Sequence, residues 1–218
     1  MHQVVQPAIL YFGTPVVLIS TVNHDGTPNL APMSSAWWLG QRCVLGLAAA
    51  SKTTQNLLRS GECVLNLPDD SMAAQVDRIA RTTGSDPVPE GKRVRGYRHL
   101  ADKFGTAGLT PVPSLTVAAP RALECPVQME ATLEEVHPIG ERDPLWRGRS
   151  LALHVAVRKV HAATDILMDG EADRIDPDKW RPLIMSFQHY YGLRAGKVHG
   201  SELAQIPEAA YRPTQAVA

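Results

Sequence analysis

Cysteine is scarce in this sequence. Its 218 residues include three cysteines, which stand far apart at Cys43, Cys63 and Cys125. Three scattered thiols are too few for the disulfide framework of a small secreted domain or for a zinc site built from cysteines. Because Cys43 and Cys63 lie in apolar, strand-like segments, we interpret them as buried thiols of a cytosolic protein.

The chain also lacks net charge and long apolar runs. Its 22 basic and 22 acidic residues cancel, which argues against a general nucleic-acid or membrane-surface binder. The apolar segment 4–20 is interrupted by Pro7 and Pro15 and follows no basic residue, unlike a signal peptide. No later segment approaches the roughly 20 apolar residues of a membrane span. We therefore expect a cytoplasmic protein that engages neither nucleic acid nor a membrane.

Several catalytic motifs are missing as well. Residues 51–54 read Ser-Lys-Thr-Thr without the glycines of a nucleotide-binding Walker loop, and no G-x-S-x-G elbow is present. The eight histidines form no cluster with cysteines and no helical pair at metal-binding spacing. We expect no bound metal, no nucleoside triphosphate hydrolysis and no Ser-His-Asp site.

Turn residues and β-branched runs are plentiful and predict a strand-rich fold. The apolar run 16–22 stops at Asn23-His24-Asp25-Gly26, where Asp-Gly favours a hairpin turn. Runs of similar character predict further strands, over residues 28–40, 43–47, 63–67, 123–136 and 151–160.

Two helices are predicted between these strands. The first spans 53–60, with Leu57 and Leu58 facing inward and Gly61 ending it. The second spans 71–82 and is capped by its first residue, a serine.

A basic stretch follows the second helix. Residues 84–99 are polar and contain the run KRVRGYRH, which suits either a solvated loop or a contact with nucleic acid or a substrate phosphate. Because no aromatic platform accompanies the run, we interpret it as a solvated loop.

The start of the first helix has two interpretations. The hydroxyls and lysine of residues 51–54 stand where the first backbone N–H groups of a helix are unpaired, so they can hold one phosphate monoester. The alternative is an ordinary N-cap with an exposed lysine.

A second segment, residues 29–38, joins small hydroxyl residues to two tryptophans. Small side chains let a flat ring approach the backbone, although an ordinary loop has the same composition. Trp37 and Trp38 face opposite sides of a strand, so one of them lies at a surface, groove or interface.

Together, residues 15–40 and 47–67 resemble the flavin reductase-like family, the FMN-binding split barrels that include flavoredoxins. The matching residues, in order, are Asp25-Gly26, Asn29, Ala31-Pro32, Ser34-Ser35, Lys52-Thr53-Thr54, Asn56, Gly61-Glu62 and Asn66-Leu67. The resemblance continues more weakly through Asp102-Lys103-Phe104 and residues 123–160.

The resemblance implies a mainly β fold, a six-stranded Greek-key split β-barrel with peripheral helices. It implies one flavin reductase-like domain over 1–218, with a core over about 10–165 and a C-terminal extension over about 166–218. It also implies a homodimer whose formation completes the flavin site.

The same resemblance assigns residues to an FMN site. Those implied to bind the cofactor are Asn29, Met33, Ser34, Ser35, Ser51, Lys52, Thr53, Asn56 and Lys103. Lys103 is the candidate cation near the flavin or its reductant. His154 is a second catalytic candidate, although Arg158 stands where the family usually has a glycine.

The implied function is an NAD(P)H-dependent flavin oxidoreductase, which reduces flavin or passes electrons from bound FMN to a small acceptor. One alternative is an FMN-binding electron carrier without its own NAD(P)H reactivity. Another is a barrel adapted to haem, for which the sequence offers no clear axial ligand.

Overall fold

The computed structural model of the chain describes residues 1–211. Its strands are β1 (Phe12–Pro15), β2 (Val17–Val22), β3 (Pro28–Met33), β4 (Ala36–Leu39), β5 (Arg42–Ala48), β6 (Glu62–Leu67), β7 (Thr82–Thr83), β8 (Arg98–His99), β9 (Pro111–Val112), β10 (Arg121–Ala122), β11 (Val127–Ile139), β12 (Ser150–Ala162), β13 (Leu167–Met168), β14 (Glu171–Ile175), β15 (Ile184–Ser186) and β16 (His189–Tyr191). Its α-helices are α1 (Lys52–Ser60), α2 (Ala73–Arg78), α3 (Glu90–Arg93) and α4 (Lys103–Ala107). No helix in this part of the chain is long and apolar enough to cross a membrane.

The main sheet has seven antiparallel strands rather than the six expected. Their order is β3-β2-β6-β11-β12-β5-β4. The additional strand arises because the single strand predicted over 28–40 divides at Ser34 and Ser35 into β3 and β4. Pro32, which has no backbone N–H, stands just before this break.

The break at Ser34 and Ser35 also determines how the sheet curves. β3 and β4 form opposite edges of the sheet, yet only these two residues separate them along the chain. A residue spans at most about 3.6 Å, so the two edges lie close together. The sheet therefore curls into a barrel. At the break between β3 and β4, the backbone N–H of Gly46 donates to the Ser35 carbonyl at 2.8 Å.

Helix α1 begins and ends as its sequence predicts. The Ser51 hydroxyl accepts a hydrogen bond from the Thr54 backbone N–H at 3.1 Å, and Gly61 ends the helix with φ at 72°. Leu57 is buried as expected, but the prediction for Leu58 is wrong, because its exposed fraction is 48%. Neighbouring helix positions point about 100° apart, so the barrel covers only one of the two.

The second predicted helix is shorter than expected. A 3₁₀ turn over Asp70–Met72 leads into α2, which ends at Arg78. The predicted cap at Ser71 is wrong: the Asp69 carboxylate accepts hydrogen bonds from the Ser71 backbone N–H at 2.9 Å and hydroxyl at 2.6 Å. Ser71 is thus a donor to the cap rather than the cap itself.

The two later predicted strands form the long hairpin β11–β12, which closes the barrel between β6 and β5. Side chains from the strands of the main sheet and from α1 fill the barrel, including Ile19, Leu45, Leu57, Leu65, Val155 and Leu153. At the C-terminal side, the hairpin β15–β16 pairs with β1.

Candidate functional site

A cavity of about 610 Å³ lies beside the break between β3 and β4. The start of α1, the segment after α2 and the start of α4 also form its walls. Residues lining it include Tyr11, Pro32, Met33, Ser35, Ser51, Lys52, Thr53, Thr83, Gly84, Lys92, Arg95, Tyr97, Lys103, Ile139 and Trp146. Its volume is within the range of sites that enclose a cofactor-sized molecule.

The cavity is strongly cationic. Lys52, Lys92, Arg95 and Lys103 line it, and no Asp or Glu is found among the lining residues of the described chain. Cations that share a cavity without counter-charges repel one another and attract an anion. The cavity is therefore suited to an anionic ligand.

The first turn of α1 provides free donors to this cavity. The backbone N–H groups of Lys52 and Thr53 have no acceptor within residues 1–211. The Ser51 hydroxyl is already engaged, because it caps the Thr54 N–H and lies 2.8 Å from the Thr54 hydroxyl. The two interpretations of this segment thus apply to different residues: Ser51 caps the helix, while Lys52 and Thr53 remain available to an anion.

Asn29 lies beside that turn, outside the cavity lining, and has an unused acceptor. Its Nδ2 donates to the hydroxyls of Thr21 and Thr53, each at 3.3 Å. Its Oδ1 is buried and has no hydrogen-bond partner in the described residues. A buried polar atom left unpaired costs about 1–3 kcal/mol, and a ligand hydroxyl that donates to Oδ1 would remove that cost.

Gly84 brings a second wall close to Asn29. A Cβ atom at Gly84 would lie 2.6 Å from the Asn29 Oδ1 and 3.0 Å from the Lys52 Cγ. Only glycine fits this approach without a shift of Asn29 or Lys52. Because Gly84 has no side chain, its backbone can pack closely against Asn29 and Lys52 at the start of α1.

Asn56 stands outside the cavity lining, although the resemblance includes it in the cofactor site. It is buried, and its Nδ2 donates to the Thr21 hydroxyl at 3.0 Å and to the Asn23 Oδ1 at 2.9 Å. These bonds join α1 to the β2–β3 hairpin. In the structure Asn56 supports the helix that carries Lys52 and Thr53.

The remaining residues of the resemblance are divided between two places. Met33 and Ser35 line both the cavity and an adjoining chamber, while Ser34 lines the chamber and is absent from the described cavity lining. His154, the second catalytic candidate, is half-buried on β12 opposite Val44 and is outside both linings. The structure does not bring His154 to the site.

Lys103 reaches the cavity from the first residue of α4. The Asp102 carboxylate caps this helix by accepting from the Gly105 N–H at 2.8 Å. The Lys103 side chain is 3% exposed and has no hydrogen-bond or ion-pair partner in the part of the chain described. Burial, with a smaller contribution from the nearby Lys92 cation, lowers the pKa of Lys103 to about 8.

The basic stretch 84–99 contributes residues that the sequence did not assign to the site. Its interpretation as a solvated loop is wrong at Lys92 and Tyr97, which are half-buried and line the cavity, whereas Arg95 lines the cavity but is exposed. The Lys92 Nζ donates to the Thr83 hydroxyl at 3.2 Å and lies 5.6 Å from the centre of the Tyr97 ring. The Arg95 guanidinium lies 5.7 Å from the same ring, a cation–π arrangement. Tyr97 stands among basic residues in the sequence, and this pattern could have indicated that the stretch belongs to the site.

Two aromatic side chains stand at the mouth of the cavity. Tyr11, before β1, is 39% exposed, and Trp146, in the loop between β11 and β12, is 54% exposed. Both line the cavity. No local motif marked either residue as part of the site. Each is distant in sequence from the start of α1 and approaches it only in the folded chain.

Comparison with known proteins gives consistent results. The model of the flavin reductase like domain matches residues 9–194. The protein YdfE of Bacillus subtilis (strain 168) is 38% identical over 200 residues, which cover 91% of this chain and 93% of that protein.

Two solved structures share the fold. Flavoredoxin of Desulfovibrio vulgaris (Miyazaki F) has a TM-score of 0.73 and 22% identity, and the match covers 94% of this chain and 98% of that one. A flavin reductase with a split barrel domain from Shewanella frigidimarina NCIMB 400 has a TM-score of 0.62 and 18% identity, with 87% of each chain covered. These similarities confirm the mainly β, split-barrel class.

Proposed function

Because the chain belongs to the family of flavin reductase-like domains, we propose that it is an oxidoreductase that binds FMN. NADH or NADPH is the reductant, and free flavin or another small molecule is the acceptor. The family assignment supports a flavin-related oxidoreductase role. The choice of FMN and of a nicotinamide reductant is our proposal.

The observation that carries the choice of FMN is the cationic cavity at the start of α1. Free N–H groups at a helix N-terminus and adjacent lysines favour a phosphate. FMN offers one phosphate at the end of a ribityl chain whose hydroxyls can donate to the unpaired Asn29 Oδ1. Riboflavin, which lacks the phosphate, is a weaker match to this cavity.

Each residue has a role in this proposal. Lys52, Thr53 and the free N–H groups hold the phosphate, and Asn29 binds the ribityl chain. Met33 and Ser35 lie against the ring, and the Lys103 cation stabilises negative charge on the ligand. FMN, when bound, supplies hydride and electron transfer, and the protein positions and tunes it.

A carrier without its own NAD(P)H reactivity is the alternative function. The position of His154 favours this alternative. By resemblance, His154 was the candidate to contact the nicotinamide reductant, but it lies outside the cavity. Haem has less support, since no histidine or cysteine is found among the described lining residues.

Titration of the purified flavin-free chain with FMN, FAD and riboflavin tests the cofactor. We expect FMN to bind most tightly, and equal affinity for riboflavin would contradict the phosphate assignment. Anaerobic addition of NADH or NADPH to the FMN-loaded protein then tests the activity. Rapid bleaching of the yellow colour indicates a reductase, whereas a protein inert to both nucleotides is a carrier.

A further inference from the structure

A second chamber adjoins the cationic cavity on the side of the C-terminal extension. Its volume is about 500 Å³. The two spaces share Tyr11, Met33, Ser35 and Tyr97 in their linings, so a molecule in the second chamber borders a ligand in the first. The hairpin β15–β16 supplies Met185, Gln188 and Tyr190 to its wall.

The second chamber adds aromatic and thioether groups to those that it shares with the first. Three tyrosine rings and two methionine thioethers line it, from Tyr11, Tyr97, Tyr190, Met33 and Met185. Thioethers and aromatic rings pack well against a flat ring.

The charges of this chamber cancel. Asp77 and Arg81 are both exposed and line it with opposite signs, whereas the neighbouring cavity has four cations. A neutral ring therefore suits the second chamber better than an anion does.

Two side chains can donate hydrogen bonds to such a ring. The Tyr190 hydroxyl has no hydrogen-bond partner in residues 1–211, and burial together with the nearby Asp77 raises the pKa of Tyr190. The hydroxyl thus remains protonated and available as a donor. The Gln188 amide is a second donor on the same hairpin.

The backbone at the hairpin turn supports a role for Gln188. Phe187 and Gln188 have φ values of 44° and 69°, in the left-handed region that favours glycine. Two-residue hairpin turns usually place Asn-Gly there. Phe187 packs edge-on against Phe12, with ring centres 4.9 Å apart, and Gln188 lines the chamber. Both residues thus adopt a backbone conformation that disfavours their side chains.

We propose that the second chamber binds a quinone, a neutral flat ring whose carbonyl oxygens accept hydrogen bonds from Tyr190 and Gln188. Reduction of a quinone to the hydroquinone consumes two electrons and two protons. Reduced flavin and water supply them, so the acceptor role depends on the proposed function, whereas quinone binding itself does not. The C-terminal hairpin then determines which acceptor the protein uses.

Binding of duroquinone to the oxidised protein tests the proposal, because oxidised protein cannot reduce it. Equilibrium dialysis is performed with the FMN-loaded and the flavin-free full chain. Tyr190→Phe removes only the hydroxyl and should weaken duroquinone about three- to tenfold, the usual effect of one lost hydrogen bond. Gln188→Gly should weaken it similarly while the melting temperature stays the same or rises, since glycine accepts the left-handed backbone.

Tyr191→Phe is the matched control, because Tyr191 is on the same hairpin but 55% exposed and outside the chamber lining. It should leave duroquinone affinity unchanged, and FMN affinity should be equal in all three variants. A protein that fails to bind FMN but binds duroquinone through Tyr190 would refute the proposed function and support the quinone site.

Three results would overturn the quinone site. Equal duroquinone affinity in every variant would place the quinone elsewhere. Displacement of duroquinone by FMN would place it in the cationic cavity. Tighter binding of 1-naphthoate that is lost in Arg81→Gln would show that the chamber selects aromatic acids.

Discussion

Asn29 Nδ2 lies 3.3 Å from Thr53 Oγ1, and this contact joins strand β3 to the first turn of helix α1. The Thr53 hydroxyl accepts from Asn29, so its own proton is free to donate to a ligand. The Asn29 Oδ1 is left as a free acceptor. Two residues 24 positions apart thus meet at the start of α1, where Thr53 lines the cavity and Asn29 lies just outside its lining.

Thr53→Ala should weaken FMN binding selectively. Loss of one donor to a charged phosphate costs about 1.5–3 kcal/mol, which is roughly ten- to hundredfold in the dissociation constant. Riboflavin affinity should hardly change, and Thr53→Ser, which keeps the hydroxyl, should bind FMN almost normally. Fluorescence titration with both flavins measures this. Equal weakening of FMN and riboflavin would mean that the substitution damages the fold rather than a phosphate contact.

Lys52→Ala should cost less than Thr53→Ala, and its effect should depend on salt. Lys52 is only half-buried, so solvent ions screen its charge. The loss in FMN affinity should therefore shrink as the salt concentration rises. Lys159→Ala, at an exposed position on β12 outside the cavity, is the control and should have no effect. A salt-independent loss at Lys52 would contradict a screened contact.

Lys103 should make FMN affinity fall as the pH rises through about 8. Its pKa is lowered to about 8, so the cation that attracts the ligand disappears above that pH. Lys103→Met should remove this pH dependence and weaken FMN at neutral pH, whereas Lys103→Arg keeps the charge and should bind FMN independently of pH in this range. Titrations across pH 7 to 9, roughly one unit on each side of the pKa, provide the measurement.

The stability of the flavin-free chain provides an independent check on Lys103. Its folded-state pKa is below the ordinary value of 10.5, so the unfolded chain binds more protons between these two values. The free energy of unfolding should therefore rise with pH across that window. In Lys103→Met this rise should be absent. If the free energy of unfolding of the variant rose with pH as much as that of the parent chain, Lys103 would not be the group whose pKa is lowered by folding.

Trp37 should contribute to a homodimer. Its side chain is 56% exposed and that of Leu39 is 75% exposed, and both are on β4 at an edge of the main sheet. We expect light scattering to give twice the chain mass and Trp37→Glu to dissociate the pair. Leu58→Glu, on an exposed face of α1, should leave the dimer intact. A monomeric parent protein that binds FMN tightly would refute the assignment.

Glu130 should account for part of the acid sensitivity of the fold. Burial opposes its ionisation, but hydrogen bonds from the Leu115 N–H, Thr116 and His161 prevail and lower its pKa to about 2. The unfolded value is near 4.5, so Glu130 stabilises the fold above that pH and this contribution is lost as the pH falls toward 2.

Glu130→Gln should therefore be less stable at neutral pH and should show a smaller fall in unfolding free energy between about pH 5 and 2 than the parent chain. Glu135→Gln is the control, because Glu135 is on the same strand but its side chain is 62% exposed. Denaturant unfolding at a series of pH values measures both. Identical acid profiles for the parent chain and Glu130→Gln would contradict a buried ionised Glu130.

Much of the start of α1 could be predicted because its determinants are local. Glycine at position 61 permits the left-handed residue that ends the helix, and Asp25-Gly26 permits the tight turn after β2. The free N–H groups of Lys52 and Thr53 follow from helix geometry alone. The sequence by itself therefore determined these turns, this helix and the unpaired N–H groups at its start.

The rest of the site depends on residues that only the fold brings together. Asn29 and Asn56 belong to the same sequence pattern and are both outside the described cavity lining. Asn29 joins β3 to the first turn of α1, whereas Asn56 ties α1 to a hairpin. The sequence of residues 84–99 predicts a solvated loop, but in the fold Gly84 approaches Asn29 and Tyr97 lines both chambers. The packing of distant segments determines which polar residues contact a ligand. The local sequence around a side chain does not encode its distance from a segment 50 or more residues away.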